Sequence, residues 1–592
     1  MSEEIAGVRE LESLAGLAGS VVSASMATVI PDLAHEDPLV RRSDHADFQS
    51  NVALALAKRA NLPPRELAAN LQREVDVEGL HVELSGPGFL NINFTDERLW
   101  TQMRDRSGLL PFKPSPSISG PTTVIDYSSP NIAKEMHVGH LRASIIGDAL
   151  VRILAFLGHR VIRQNHVGDW GTQFGMLIQY LVERGDDVVT AHRPQAGDGE
   201  LSALDRLYRE ARHKFDTDTE FAERARQRVS ALQSGDPVTI EHWSNIVKRS
   251  ERAFQQIYDR LDVLLRPEDY VGESFYNPVL PEITDELLRA GVAVEDAGAI
   301  CVYFDDVSGP DGSPVPLIVR KADGGFGYAA TDLAALRHRI FNLKARRLLY
   351  VVDARQALHF KMLFATARRI GWLSDDVEAI HVGFGTVLGP DGRPFKTRSG
   401  GTVRLGDLLD WAAEKVRAEI DEKSHGLDQD ELNTVVEQAG IAAVKYADLS
   451  ISRTKDYVFD LDRMVSFDGN TGVYLQYAHA RLRSILRNAG SDGAFPAVSV
   501  QAKLHPAERA LILLLDEFEG LLGEVAGSLE PHRLCGYLFS VAKAFTGFYD
   551  TCPVLKAETD ELRNNRLALC HLTGETLACG LNLLGIAAPE RM

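Results

Sequence analysis

Several features that mark specialised protein classes are scarce in this sequence. Its 592 residues include five cysteines, an odd number without a CxxC pair, which fits neither a disulfide framework nor a zinc ribbon. Reduced thiols in a cytosolic protein are therefore expected. We find no internal repeat of about 20–50 residues and no Walker A sequence, so neither a solenoid nor a P-loop ATPase is expected.

Targeting signals and long hydrophobic runs are also missing. The N-terminus, MSEEIAGVRE, is too acidic for a secretory signal or a transit peptide. Residues 13–31 carry no charge, but they are rich in Gly, Ser and Ala, whereas a membrane span needs about 20 mostly large apolar residues. This stretch predicts a buried or amphipathic helix, and the chain as a whole a cytoplasmic protein without a membrane partner.

Basic residues are fewer than acidic residues. Lys and Arg number 64 against 83 Asp and Glu, a formal net charge of −19. This balance argues against a general nucleic-acid binder, because Lys and Arg supply the affinity for phosphate backbones, but net charge is a sum and binding is local. The 45% hydrophobic and 25% charged residues are typical of globular proteins, and the length suggests about three to five domains.

The first segment of the chain, residues 1–113, mixes two kinds of pattern. A helical pattern at 47–62 is followed by a strand-like run at 81–94, which a Gly-Pro-Gly turn interrupts. This combination predicts an α+β N-terminal domain. The Pro- and Ser-rich stretch at 113–121 is typical of a linker.

A different pattern begins after the linker and predicts a domain over 119–410. A short apolar strand at 122–128, a helix at 139–158 and a second strand at 159–167 form a βαβ unit, so we expect a parallel sheet. Apolar runs at 346–354 and 378–387 predict later strands of the same sheet, and the long stretches between them predict insertions.

Strand signals vanish beyond about residue 408, where long helical patterns begin. We expect connecting helices over 411–467 and an all-α domain over 468–592. The fold class predicted is thus an α/β parallel-sheet domain with insertions, flanked by an α+β domain and a helical bundle.

The segment with the strongest chemical signal is DYSSPNIAKEMHVGHLR, residues 126–142, between the first strand and the first helix of the sheet. Ligands of open parallel sheets bind at the carboxyl ends of the strands, and a helix N-terminus favours phosphate. His137 and His140 are three residues apart and share a helix face, while Gly139 leaves room for a ligand. Two imidazoles can donate hydrogen bonds to phosphoryl oxygens whose charge grows during reaction. The alternative is that both are helix-capping or surface histidines, but their placement between a strand and a helix favours a ligand site.

This segment resembles the ATP-binding signature of class I aminoacyl-tRNA synthetases, whose usual form is His-Ile-Gly-His. The longer string SSPNIAKEMHVGHLR resembles the arginyl-tRNA synthetase family in particular. Further stretches agree in order along nearly the whole chain: GPGFLNINF, NHVGDWGTQFGMLI, FKTRSGGTVRL, YLQYAHARLRSILR, LCGYLFSVAKAFTGFYDTCPVL and the closing PERM. The resemblance implies a Rossmann-type catalytic domain, an N-terminal domain that recognises the tRNA D-loop and an all-α anticodon-binding domain.

The FKTRSGG stretch occupies the position of the Lys-Met-Ser-Lys-Ser loop of class I synthetases, but it lacks the second lysine. In arginyl enzymes a lysine just before the His-x-Gly-His element is thought to compensate, and Lys134 matches that position. The resemblance therefore implies two overlapping groups. The catalytic group is His137, His140, Lys134 and Lys396, and the ATP-binding group is His137, Gly139, His140, Lys396 and Arg398.

The amino-acid pocket must hold a guanidinium, which is planar, always charged and matched by carboxylates. Asp126, at a strand end, and Asp332, at a helix start, are the best carboxylates available, although Asp332 could instead cap its helix. The resemblance implies an arginine-binding group made of Asp126, Ser128, Asn131, Tyr328, Asp332 and Gln356. Asp169 and Trp170, in a Gly-rich loop, are expected to shape this pocket.

The helix predicted around 474–487 explains how an acidic protein could bind RNA. It lies in a stretch without Asp or Glu that contains tyrosines and arginines, which suit unstacked bases and phosphates. A core helix with solvated arginines remains the alternative. The resemblance implies a tRNA-binding group made of Phe89, Asn91, Tyr474, Tyr477 and Arg481.

The resulting hypothesis is a monomeric cytoplasmic enzyme that takes ATP, L-arginine and tRNA(Arg), with Mg²⁺ arriving on ATP and no metal site of its own. Two rival hypotheses are a small-molecule nucleotidylyltransferase and a non-catalytic tRNA-binding paralogue. The long helical C-terminal segment argues against the first rival. The intact His137, His140, Lys134 and Asp332 argue against the second.

Overall fold

A computed structural model describes the backbone of residues 11–115, 120–185, 200–309, 311–395, 403–420, 427–491 and 495–592. Within these ranges no helix is both long and apolar enough to cross a membrane.

The N-terminal region combines helices with one antiparallel sheet, which confirms the α+β prediction, but the helical pattern predicted over 47–62 begins as a strand at Phe48–Ser50. Its helices are α1 (Leu14–Val29), α2 (Val52–Ala60), α3 (Pro64–Arg73) and α4 (Asp96–Ser107), and its strands are β1 (Val40–Arg42), β2 (Phe48–Ser50), β3 (Leu80–Ser85) and β4 (Phe89–Phe94). The strand order is β1-β2-β4-β3. Leu14, Ala18, Val22 and Met26 recur every four residues and are buried, so α1 is a helix with one core-facing stripe, as its uncharged sequence predicts.

The central region is built on a parallel sheet whose strands are β5 (Thr123–Asp126), β6 (Val161–Gln164), β10 (Arg347–Tyr350) and β11 (Glu378–His381). Their order is β11-β10-β5-β6. The helix α5 (Val138–Phe156) leads from β5 to β6, and α12 (Ala357–Arg369) leads from β10 to β11 in the opposite direction along the sheet. The topological switch point therefore lies between β5 and β10, where open α/β sheets bind ligands.

Two insertions extend this sheet. The first is helical and contains α6 (Thr172–Arg184), α7 (Glu200–Thr217), α8 (Thr219–Gln233) and α9 (Pro237–Arg260). Short 3₁₀ helices at Pro267–Asp269 and Glu273–Val279 then lead to α10 (Leu280–Arg289), to an antiparallel sheet of β7 (Val294–Asp296), β8 (Ala299–Val302) and β9 (Leu317–Arg320), and to α11 (Tyr328–Phe341). A 3₁₀ turn, Ala354–Gln356, precedes α12.

The C-terminal region is helical throughout its described length except for one short strand. Its helices are α13 (Leu405–Ile420), α14 (Gln429–Leu449), α15 (Leu461–Met464), α16 (Gly472–Asn488), α17 (Pro506–Leu515), α18 (Phe518–Ser528), α19 (His532–Thr551) and α20 (Asp560–Leu583). The expectation of no strand beyond residue 408 is wrong at β13 (Tyr457–Val458), which pairs in parallel with β12 (Val387–Leu388). A two-residue strand is too short to leave an alternating pattern.

The N-terminal region packs against the C-terminal helices along a surface that we call the seam, defined by Asp47, Asp96, Arg106, Arg509 and Asp516. Arg509 Nη2 lies 2.6 Å from Asp47 Oδ2, and Arg509 Nη1 lies 3.1 Å from Asp96 Oδ1. Arg106 Nε lies 2.5 Å from Asp516 Oδ1, and both of these side chains are buried. The seam therefore joins residues more than 400 positions apart through paired charges.

Candidate active site

The signature loop between β5 and α5 has an unusual backbone. Ser128, Ser129 and Ala133 have φ angles of 74°, 48° and 64°, a region that residues other than glycine rarely adopt. Two residues of α9 hold the loop in place: the Ser128 Oγ lies 2.7 Å from the Tyr258 hydroxyl, and the Ala133 N–H donates to Ser250 Oγ at 3.0 Å. Strain of this kind is found at functional sites, where surrounding contacts over-determine the conformation.

The two signature histidines stand at the start of α5 and are held by the backbone. The N-cap residue, His137, accepts a hydrogen bond at Nδ1 from the Gly139 N–H, and His140 Nδ1 accepts one from the His137 N–H, each at 3.0 Å. The ring centroids are 4.0 Å apart. A Cβ at Gly139 would lie 2.8 Å from the His137 ring, so a glycine is needed there.

The capping alternative and the catalytic one are compatible for these histidines. Burial and then the charge of His137 lower the pKa of His140 to about 3, and burial and then the Lys134 ammonium lower the pKa of His137. Both rings are therefore neutral at pH 7. Because Nδ1 of each neutral ring accepts a hydrogen bond, each ring carries its proton on Nε2, which is left to donate to a ligand.

Lys134 lies three residues before His137, and its ammonium stands 4.9 Å from the ring centroid of Tyr208 in α7. Lys396 and Arg398, predicted to hold ATP, lie outside the described residues. The chain just after them is described: the Val138 N–H donates to the Val403 carbonyl at 3.0 Å. The end of that loop is thus fastened beside the signature histidines.

Three carboxylates, those of Asp169, Glu273 and Asp332, form what we call the acidic crevice. Burial, followed by the charges of Asp169 and Asp332, raises the pKa of Glu273 to about 8. In the described part of the chain, no Lys or Arg lies within ion-pair distance of any of the three. A cation of complementary shape would therefore meet carboxyl groups without a Lys or Arg partner among the described residues, and it would favour the charged form of Glu273.

Asp332 lies in the second turn of α11, whose N-cap residue is Gly327. The alternative that Asp332 caps this helix is therefore wrong. Its carboxylate is hydrogen bonded to His359 Nε2 at 2.6 Å, and His166 Nε2 lies 3.8 Å from its other oxygen. Two histidines thus orient Asp332 and leave it partly exposed.

Sequence reasoning missed Glu273. This residue begins a 3₁₀ helix in the second insertion, and Asp169 is hydrogen bonded to the Ser274 N–H and hydroxyl beside it. A Cβ at Gly272 would lie 2.1 Å from Asp169 Oδ2, so this glycine permits the close approach. A Gly-Glu pair in a polar stretch gives no signal by itself. The glycine becomes informative only once Asp169 is known to pack on it.

Asp126 lies at the carboxyl end of β5 but is committed to an internal partner. The buried Arg339 donates from Nη2 to Asp126 Oδ2 at 2.7 Å and from Nε to Gln164 Oε1 at 2.6 Å. Ser128 is buried as well and accepts from the Ser144 hydroxyl. Both side chains are therefore occupied by partners within the protein, although both were predicted to contact arginine.

The other members of the predicted arginine-binding group are open to solvent. Asn131 and Gln356 are exposed, and Tyr328 is 72% exposed at the start of α11. They follow β5, β10 and β9 respectively. Asn131 sits in a backbone bridge with Gly168, which joins the signature loop to the loop after β6.

The predicted tRNA-binding residues lie on two separate surfaces. Phe89 and Asn91 are half-buried on β4, and Asn91 Oδ1 accepts from Gln49 Nε2 at 2.7 Å. On α16, Tyr477 is 45% exposed, whereas Tyr474 is half-buried with its ring against Phe539.

The arginines of α16 differ in their surroundings. Arg481 stands 4.4 Å from the ring centroid of Tyr549. Arg483 Nε lies 2.6 Å from Glu590 Oε2, and Arg487 Nη1 lies 3.7 Å from the same oxygen. Arg483 and Arg487 are therefore tied to the C-terminal segment, whereas Arg481, the arginine of the predicted tRNA-binding group, packs on an aromatic ring.

Comparisons with known proteins agree along nearly the whole chain. Residues 117–461 match the family model for the catalytic domain of class I (R) tRNA synthetases, 475–592 match the DALR anticodon-binding domain, and 17–94 match the arginyl-tRNA synthetase N-terminal domain. The chain is 61% identical to the arginine–tRNA ligase of Frankia casuarinae, over 96% of this chain and 97% of that one. It is 52% identical to the arginine–tRNA ligase of Streptomyces avermitilis, over 98% and 100%.

Solved structures give the same result. The arginyl-tRNA synthetase of Plasmodium falciparum matches with a TM-score of 0.80 at 28% identity, over 98% of this chain and all of that one. The Thermus thermophilus arginyl-tRNA synthetase matches with a TM-score of 0.79 at 26% identity, over the same shares. The family models, the identities and the structures together show that this chain belongs to the arginyl-tRNA synthetase family of class I aminoacyl-tRNA synthetases.

Proposed function

We propose that the chain is an arginine–tRNA ligase, which joins L-arginine and ATP into arginyl-adenylate and then transfers arginine to the terminal adenosine of tRNA(Arg). The observation that carries this proposal is that the histidine pair and the acidic crevice both lie in segments that follow strands of the sheet domain. His137 and His140 offer two Nε2–H donors to phosphate, and the acidic crevice offers a cationic side chain carboxyl groups that have no Lys or Arg partner among the described residues.

In the activation step, an oxygen of the arginine α-carboxylate bonds to the α-phosphorus of ATP. The bond from that phosphorus to the bridging oxygen breaks, and pyrophosphate leaves with the electron pair. His137 and His140 donate to the oxygens on which charge builds up, and Lys134 supplies positive charge beside them. Lys396 and Arg398 are proposed to act on the departing phosphates. No general base is needed, because the nucleophile is already a carboxylate.

Recognition of the amino acid is proposed to divide between its two ends. Asp332 and Glu273 bind the guanidinium, and the Tyr328 ring covers it, because buried carboxylates suit a planar cation with several donors. Asn131 and Gln356 hold the α-amino and carboxylate groups. Asp126 and Ser128 contribute indirectly, since Asp126 holds Arg339 in place and Ser128 fixes the strained loop.

The tRNA is proposed to span both ends of the molecule. Tyr477 on α16 has the exposure that stacking on an anticodon base requires, while Tyr474 and Arg481 support that surface. Phe89 and Asn91 on β4 are proposed to meet the D-loop. An acidic exterior with such local sites should repel unrelated polyanions, so binding should depend on tRNA identity.

The remaining features of the proposal concern the setting of the reaction. Mg²⁺ enters with ATP on the phosphate oxygens. In the described residues no group of three His, Cys, Asp or Glu side chains is placed to hold a metal ion. We propose a cytoplasmic monomer, with a tRNA-binding domain over 1–113, a catalytic domain over 119–410, connecting helices over 411–467 and an anticodon-binding domain over 468–592.

The test is arginine-dependent ATP–pyrophosphate exchange, measured with and without tRNA(Arg). Arginyl enzymes as a family usually activate the amino acid only with tRNA bound, so we expect exchange mainly in its presence. His140→Asn should lower the exchange rate about 100-fold or more, as expected for loss of a donor to transition-state charge. The matched control is His242→Asn in α9. Folded protein without exchange in either condition would refute the proposal, and exchange with another amino acid would refute the arginine assignment.

A further inference from the structure

A tyrosine of the first insertion reaches the active site. In α7, the apolar residues Leu204, Leu207 and Ala211 are buried on one face, and Tyr208 lies half-buried at the edge of that face. The helix is fastened to α6, where the Tyr180 hydroxyl donates to Glu210 Oε2 at 2.7 Å. The position of the Tyr208 ring is therefore set by packing of the insertion.

The ring of Tyr208 faces the lysine of the signature loop. The Lys134 ammonium stands 4.9 Å from the ring centroid, within the range of a cation–π interaction. In the ranges that the structure describes, no carboxylate lies within ion-pair distance of that ammonium. A neutral ring attracts the ammonium without cancelling its charge, so Lys134 keeps its full charge for a phosphate.

We propose that Tyr208 is a positioning residue for arginine activation, which holds the Lys134 ammonium over its ring so that the charge is directed at the phosphates of ATP. This proposal rests on the proposed function, since it assigns Tyr208 a role through Lys134. It also gives the helical insertion a part in arginine activation that acts through Lys134, beyond its support of the signature loop through α9.

The test is a double-mutant cycle in the exchange assay with tRNA(Arg) present. Tyr208→Phe and Tyr208→Trp keep an aromatic face and should retain kcat within about twofold, whereas Tyr208→Leu should lower kcat about tenfold, with the KM for arginine unchanged. In the Lys134→Met background, Tyr208→Leu should have no further effect. Arg209→Leu, on the exposed side of the same helix, is the matched control and should behave as the wild type.

Several outcomes would overturn the proposal. One is a Tyr208→Leu variant with wild-type kcat, and another is a variant whose loss is equally large in the Lys134→Met background, which would indicate a purely structural role. If Tyr208→Leu unfolds, failure of Tyr208→Trp to retain kcat while folded would count against the proposal. Full activity of Lys134→Met would refute it while leaving the ligase function intact, whereas absence of exchange in the wild type would refute the function itself.

Discussion

The seam and the acidic crevice both contain buried carboxylates, but they differ in how that charge is compensated. In the seam, Asp47 and Asp516 each meet an arginine within 2.6 Å. In the crevice, burial raises the pKa of Glu273 to about 8, and the basic side chains within ion-pair distance of Asp332 among the described residues are both histidines. The charges of the seam are paired within the protein, whereas the crevice is proposed to receive its positive charge from a ligand. Stability and recognition are therefore separated in space.

The largest effect is expected in the seam. Arg106→Leu removes the cation and leaves the buried Asp516 carboxylate without its arginine partner, which should lower the free energy of unfolding by about 3–5 kcal/mol. Urea titration measures this loss. Asp516 also accepts from the Leu14 N–H and from Gln102 Nε2, so Asp516→Asn keeps an acceptor there while removing the charge. The double variant should recover part of the lost stability, and a double variant no more stable than Arg106→Leu would contradict this account.

The second prediction concerns the crevice. Asp332→Asn removes a carboxylate that has no Lys or Arg partner in the described chain, so it should leave the unfolding transition nearly unchanged. It should, however, lower kcat/KM for arginine about 100-fold, the cost of losing a charged contact, with the KM for ATP within about twofold. Steady-state exchange kinetics measure both constants. Asp306→Asn, at an exposed ion pair with Lys361, is the matched control. Unchanged arginine kinetics would remove Asp332 from the pocket.

The third prediction is a pH dependence. The pKa of Glu273 is about 8 in the free protein, so the group is mostly protonated at pH 7 and must lose its proton to bind a guanidinium. Arginine affinity should therefore rise by up to about tenfold per pH unit between pH 6 and 8. Exchange assays across this range give the KM for arginine. Glu273→Gln should flatten the dependence, and the exposed Glu282→Gln should not. An equal slope in the Glu273 variant would contradict the assignment.

The same pKa has a consequence for stability with the opposite sign. The folded value of Glu273, about 8, lies above its ordinary value of 4.5, so the folded protein holds this proton more tightly than the unfolded chain. The group's contribution to stability is complete below pH 4.5 and is lost as the pH rises through 8. Arginine, which favours the charged form, should offset this loss.

The parallel sheet and the histidine pair could be predicted from the sequence because their signals are local. The apolar run that became β5 and the helical spacing after His137 each lie within about 20 residues. The N-cap role of His137 was visible as an alternative for the same reason. The resemblance extended these local signals along the chain, and the family models agree with it.

Contacts between distant residues could not be predicted in this way. Arg339 meets Asp126 across 213 positions, so the carboxylate that was the best candidate at a strand end has an internal partner. Glu273 and Tyr208 lie in insertions, and their sequences do not show which residues of the sheet domain they approach. Charge type shows which residues can bind arginine, but only the fold shows which of them already have a partner.

The smallest expected effect tests whether pairing or burial gives the seam its importance. Arg533 pairs with Glu530 at 2.8 Å, much like the seam pairs, but it is exposed to solvent. Water screens such a pair and solvates either partner when the other is removed, so Arg533→Ala should shift the melting temperature by about 1 °C or less. Calorimetry on this variant and on Arg106→Leu compares the two directly. If both variants lost similar stability, pairing itself would stabilise the protein, and the contrast between the seam and the crevice would no longer depend on burial.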